Sequence, residues 1–222
     1  MSYKFQVPRS KLRNAGLLNL ELGTWNYFMS GLLLIISGPS GVGKTTITHE
    51  VERELHGVFS VSLTTRAKAM GDRDGIDYHF VSQGEYNRAR DNNELLEWAE
   101  VYPGLSYGTP RKPVEDALTQ GKLMILEIDV DGAMQVKEKI PQAFSIFVLP
   151  PNESVLLQRL RARGRDDDGA IQRRFAKAKR EIIKAWESGV YDEFIVNRDL
   201  SHAVKEAVSL VSKRRSNATL FS

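Results

Sequence analysis

The apolar positions of this chain fall into short unbroken runs separated by stretches with helical spacing. Leu32–Ser37 is a run of five apolar residues closed by a serine, and a glycine-rich segment follows it. From Thr45 to Leu55 the apolar residues Ile47, Val51 and Leu55 recur every four positions, which is the spacing of one helix face. A strand is expected over Phe59–Thr64, and a short helix over Val114–Gln120, stopped by Gly121. Leu123–Ile128 is apolar except for Glu127, and Phe144–Leu149 is a further strand, ended by Pro150 and Pro151. Such unbroken runs suit parallel strands covered on both faces. Glu153–Arg163 and Ala170–Glu187 read as helices, with Asp166, Asp167, Asp168 and Gly169 as a break between them. Phe194–Val196 is a last short strand, and a C-terminal helix follows Ser201. The alternation of strands and helices predicts an α/β fold, a parallel sheet flanked by helices on both faces.

Two segments stand outside this alternation. Residues 1–30 carry Lys4, Arg9, Lys11 and Arg13 before the first acid, Glu21, and form an N-terminal extension; Met29, just before the first strand, is a candidate start codon. Residues from about Arg66 to Pro110 are less regular, rich in Gly, Asp and aromatics, and suggest an inserted small lobe.

Composition narrows the function classes. Hydrophobic residues make up 41% and charged residues 27% of the 222, as in a globular chain. A net charge of +3 suits anionic small molecules but is no nucleic-acid signature without a clustered basic face. There is no cysteine, which excludes disulfides, zinc–thiolate sites and thiol nucleophiles and agrees with a cytoplasmic location. No apolar run approaches the ~20 residues of a membrane helix. His49, His56, His79 and His202 are scattered without metal-ligand spacing.

The clearest chemistry lies in Gly38-Pro39-Ser40-Gly41-Val42-Gly43-Lys44-Thr45, a glycine-rich loop ending in Lys-Thr between a strand and a helix. Glycines let backbone N–H groups turn toward an anion, and the helix start adds its partial positive charge. Lys44 is placed to reach the β and γ phosphates of a nucleotide, and the Thr45 hydroxyl to bind Mg2+. The metal's water shell usually meets an acid at the end of a second strand. Glu127 and Asp129 supply acids there.

Further segments follow in order: Val61-Ser62-Leu63-Thr64-Thr65-Arg66, Gly75-Ile76-Asp77-Tyr78-His79-Phe80, Asn93-Glu94-Leu95-Leu96-Glu97-Trp98-Ala99, Tyr107-Gly108-Thr109, Ile125-Leu126-Glu127-Ile128-Asp129, Arg163-Gly164, Arg174 and Ile195-Val196-Asn197. Together with the loop they resemble the guanylate kinase family from about Gly31 to Lys213. The resemblance implies a P-loop nucleoside monophosphate kinase fold over residues 31–215, with a GMP-binding lobe at about 62–110 and a helical lid at about 153–178. It implies transfer of the γ-phosphate of ATP to GMP with Mg2+, by a monomer or homodimer that needs neither nucleic acid nor membrane.

The resemblance also implies residue roles. Arg66, Tyr78 and Tyr107 hold the GMP phosphate; Ser62, Glu97, Thr109 and Asp129 read guanine. Residues 38–45 with Thr46 and Arg163 hold ATP, and Asn197 sits near the adenine. Lys44, Arg66, Arg159, Arg163 and Arg174 carry the transferring group, while Thr45 and, through water, Glu127 hold the metal. The chemistry of guanine agrees. A carboxylate accepts from its N1 and N2 donors and a hydroxyl donates to O6, whereas adenine would leave such groups unpaired.

One position departs from the family pattern. Three residues after Arg66 the family has a second phosphate-binding arginine, and this chain has Ala69; a raised KM for GMP is expected. Two alternatives stay open at this stage: a ribose 1,5-bisphosphate kinase-like phosphotransferase on the same scaffold, and a catalytically silent GMP-binding interaction module.

Overall fold

The computed structural model describes residues 30–102, 104–162 and 167–219, so the N-terminal extension and Arg163 lie outside the described residues. Nine strands and seven helices follow along these: β1 Leu32–Ser37, α1 Lys44–Leu55, β2 Val58–Phe59, β3 Leu63–Thr64, β4 His79–Phe80, α2 Gln83–Asp91, β5 Leu95–Tyr102, β6 Leu105–Pro110, α3 Arg111–Thr119, β7 Leu123–Glu127, α4 Val130–Lys139, β8 Phe144–Leu149, α5 Glu153–Ala162, α6 Asp168–Ser188, β9 Glu193–Val196 and α7 Leu200–Thr219.

The central sheet has the order β2-β7-β1-β8-β9 and is parallel throughout. Its strands are apolar on both faces because both faces are covered. Leu33 and Ile35 of β1, with Met124 and Leu126 of β7, pack into a core completed by α3, α4 and α6 through Leu118, Val136 and Ile182. The alternate residues Leu34, Ile36, Leu123 and Ile125 face the opposite core, where Ile47 and Val51 of α1 meet Ala207 and Val211 of α7. One strand thus feeds two cores with period two, and this removes the polar alternation of a one-sided sheet.

The expected strand over Phe59–Thr64 divides in two. Val58–Phe59 pairs with β7 at the edge of the central sheet, whereas Leu63–Thr64 starts a second sheet of order β4-β3-β6-β5. The chain crosses between sheets inside one extended segment, so its apolar–polar alternation continues while its partners change. The region expected to be irregular holds this second sheet: β5 and β6 form an antiparallel hairpin, and β6 pairs antiparallel with β3. It also holds α2, started by a reciprocal capping box in which Ser82 and Glu85 satisfy each other's N–H groups.

Four helix starts lie earlier than their periodicity suggests, α1 by one residue, at Lys44. α3 begins at Arg111, because Pro113 falls in its first turn, where the missing N–H has no partner to lose. α6 begins at Asp168, capped by the Asp167 carboxylate, which accepts from the Ala170 N–H. α7 begins at Leu200. No helix of the described residues is long and apolar enough to cross a membrane.

Candidate active site

β1 delivers the chain into the glycine loop, and α1 starts directly after it. Gly43 has φ +97, and a Cβ there would meet the Asn197 Nδ2 at 2.7 Å; a Cβ on Gly38 would meet the Val148 carbonyl oxygen at 2.5 Å. The loop can therefore wind this tightly only with glycine at these two points. α1 has no side-chain cap at its N-terminus and no acid in its first turn, which suits an anionic ligand at that end. The Lys44 ammonium donates to the carbonyl oxygens of Gly38 (2.6 Å) and Pro39 (3.1 Å), curled over its own loop.

β7 lies beside β1 with Glu127 opposite Ile36, and this register brings the Glu127 carboxylate to the start of α1. Thr45 Oγ1 donates to Glu127 Oε1 at 3.0 Å. A hydroxyl and a carboxylate this close are hard oxygen donors of the kind Mg2+ prefers. Among the described residues no cluster of three His, Cys, Asp or Glu could enclose a metal alone, so an ion here would complete its shell with water and substrate phosphate oxygens.

The loop opens into a cleft of about 750 Å³ whose other walls carry Ser62, Arg66, Tyr78, Glu97, Tyr107 and Asp129. Glu97, on β5, is only 4% exposed. Its Oε1 accepts from the Thr109 hydroxyl at 2.6 Å on the neighbouring strand β6. Its Oε2 approaches α4 so closely that a Cβ on Gly132 would stand 2.7 Å away. Asp129 is the N-cap of α4, with Oδ1 accepting the Gly132 N–H at 2.8 Å. Burial pushes the Glu97 carboxyl up to about 7; the Thr109 hydrogen bond opposes this and the Asp129 charge adds to it.

Arg66 leaves β3 and lies over the rings of Tyr78 and Phe80, each 5.4 Å from its guanidinium. Its Nη2 is 2.9 Å from Asp72 Oδ2, and the same carboxylate oxygen accepts the Ala69 N–H at 2.7 Å. Tyr78 packs edge-on against Tyr107 at 5.6 Å. Burial and the neighbouring Tyr107 push the Tyr78 phenol upward, so it stays a hydrogen-bond donor at neutral pH. Cation and phenols make an anion-binding corner.

On the far wall, Arg174 of α6 donates from Nη2 to Ser40 Oγ at 2.5 Å and so ties α6 to the loop. Two other expected residues buttress the loop and do not line the cleft. Asn197 is 2% exposed and donates from Nδ2 to the Val42 carbonyl oxygen at 2.7 Å, while Arg159 Nη2 donates to the Asn197 carbonyl oxygen at 3.0 Å. Val42 is itself fully buried and packs into the core below the loop. Sequence reasoning missed Lys177 and Glu181, which line the same cleft. The available signal was their spacing, three and seven residues beyond Arg174 on one helix.

Comparison with known proteins agrees with this geometry. The sequence profile of the family described as guanylate kinase matches residues 30–214. A guanylate kinase from Synechocystis sp. is 44% identical over 186 residues, 83% of this chain and 95% of that protein. One from Symbiobacterium thermophilum is 47% identical over 188 residues, covering 83% and 87%. The crystal structure of guanylate kinase from Anaplasma phagocytophilum superposes with a TM-score of 0.69 at 32% identity, over 84% of this chain and 87% of that one. With the phosphate loop, the buried acid and the anion-binding corner in one cleft, and with relatives matched over most of their length, this chain belongs to the guanylate kinase family.

Proposed function

We propose the following division of labour for the ATP-dependent phosphorylation of GMP, the activity this chain has as a guanylate kinase. Residues 38–46 hold the ATP phosphates, with Asn197 and Arg159 keeping the loop in shape and Arg163 adding charge from the lid. Arg66, Tyr78 and Tyr107 hold the GMP phosphate. Glu97 and Asp129 accept from guanine N1–H and N2–H, while the hydroxyls of Ser62 and Thr109 serve O6 or orient the acids. Residues 62–110 form the GMP-binding lobe and residues 153–178 the lid. The protein works in the cytoplasm as a monomer or homodimer.

The reaction needs little covalent chemistry from the protein. A GMP phosphate oxygen attacks the γ-phosphorus of ATP, the bond to the β-bridging oxygen breaks, and ADP leaves. Lys44 and Arg174 stabilise the charge that gathers on the equatorial oxygens, and Arg66 fixes the attacking phosphate in line. Thr45 and, through water, Glu127 would hold Mg2+, which would neutralise the triphosphate charge. Closure of lobe and lid excludes the water that would hydrolyse ATP.

The observation that carries this reading is a single cleft lined by the glycine loop, by the buried Glu97 carboxylate with Asp129 nearby, and by the Arg66, Tyr78 and Tyr107 corner. The test is GMP-dependent ADP release from ATP with and without Mg2+. The reading requires release that depends on both GMP and the metal; release that ignores GMP would refute it.

A further inference from the structure

α6 presents three charged side chains to the cleft, Arg174, Lys177 and Glu181, at intervals of three and four that set them on one face. Arg174 is docked on Ser40 of the loop. One turn on, the Lys177 Nζ stands 3.8 Å from Glu181 Oε1, with the two side chains 32% and 21% exposed. At that distance the contact is a loose ion pair and not a hydrogen bond. Lys44 is a second cation near the Glu181 carboxylate and Asp129 a nearby acid.

A carboxylate that faces a polyphosphate cleft is costly, because it repels the substrate unless a cation stands between them. Burial pushes the Glu181 carboxyl upward, and Lys177 and then Lys44 hold it back. Lysine suits a position between two anions. Its ammonium is a compact charge on a flexible four-carbon stem, able to turn from one oxygen to another without moving the helix.

We propose that Lys177 is a further catalytic residue of this enzyme, held beside Glu181 and turned onto the oxygens of the phosphates undergoing transfer once both nucleotides are bound. Glu181 is its positioning residue. It keeps the ammonium inside the cleft and is released from it when the phosphates arrive. The inference rests on the proposed function above.

The experiment is steady-state kinetics of the full chain with Mg-ATP and GMP, for the parent, Lys177→Met, Lys177→Gln, Lys177→Arg and the double variant Lys177→Met/Glu181→Gln, with melting curves for each. A contact made at the transition state predicts that both truncations lower kcat by about 10- to 100-fold, the range of one charge-assisted hydrogen bond. KM changes less, and Lys177→Arg recovers most of the rate. The double variant recovers about threefold or more of the loss, because the carboxylate left without its cation is removed with it. Truncation that leaves kcat within twofold of the parent overturns the proposal, as does a loss that Arg does not rescue. A parent without GMP-dependent turnover instead refutes the functional reading itself.

Discussion

Replacing Glu97 by Gln separates recognition of guanine from everything else in the cleft. The buried carboxyl titrates near 7 and not at its ordinary 4.5. In the proposed reading the ionised carboxylate, with Asp129, accepts from the guanine N–H groups, so GMP affinity follows the ionised fraction. That fraction is about one in eleven at pH 6 and about ten in eleven at pH 8. The parent KM for GMP should therefore rise about tenfold from pH 8 to pH 6, while the KM for ATP stays level. Gln lacks the charge and turns an N–H2 toward donors. It should weaken GMP about 10- to 100-fold at pH 8 and flatten the pH dependence.

The same shift has a consequence for stability, with the opposite sense. Between about 4.5 and about 7 the folded chain keeps a proton that the unfolded chain releases, so its stability falls as pH rises through that window. Ionising a group that is 4% exposed costs about 3 kcal/mol by pH 8. Glu97→Gln avoids that cost and should raise the melting temperature at pH 8 by on the order of 5–10 °C. The gain should shrink at pH 5, where the parent carboxyl is already neutral. Kinetics and melting at pH 5, 6, 7 and 8 make the assay. A variant with less GMP affinity and unchanged or lower stability at pH 8, or a parent KM flat across this range, would show that Glu97 does not bind GMP as a buried, ionised carboxylate.

Three further outcomes are expected. Ala69→Arg places a guanidinium on an exposed residue beside Asp72 and Arg66, and should lower the KM for GMP by about tenfold or more, as one added charge-assisted contact allows; unchanged GMP kinetics would remove Ala69 from the account. Gly43→Ala puts a Cβ 2.7 Å from Asn197 Nδ2 at a residue with φ +97; it should destabilise the fold by about 1–3 kcal/mol in thermal melts and raise the KM for ATP more than that for GMP. Thr45→Val removes the hydroxyl 3.0 Å from Glu127 and, being exposed, should leave the melting temperature within a few degrees while raising the Mg2+ concentration for half-maximal rate about tenfold.

The central sheet and its phosphate loop are legible in the sequence because both are local. Five apolar residues in a row, a glycine at each tight point and Lys-Thr at a helix start lie within fourteen positions, Leu32–Thr45. Long-range features were harder. Phe59 and Leu63 share one extended segment but belong to different sheets, and only their partners, Ile125 in one case and Gly108 in the other, tell them apart. α4 shows no strong stripe, although the Asp129 cap and the spacing of Val130, Ala133 and Val136 mark it in retrospect. The capping box of Ser82 and Glu85 was equally readable. Lys177 and Glu181 were hidden by the charge of α6, where only the fold distinguishes cleft-facing residues from solvated ones. The buried amide of Asn197 holds the Val42 carbonyl, a contact spanning 155 residues that no local pattern encodes.

Selection of guanine as the base of the acceptor rests, in the proposed reading, on Glu97 and Asp129. It is tested most directly by coupled ADP release from Mg-ATP with GMP, AMP, UMP, CMP, dTMP and ribose 1,5-bisphosphate offered in parallel at equal concentration. Turnover with GMP and none of the other acceptors is the predicted result, and at subsaturating GMP it should fall about 10- to 100-fold in Glu97→Gln. Turnover with the ribose compound in place of GMP, or equal turnover with AMP, would contradict it.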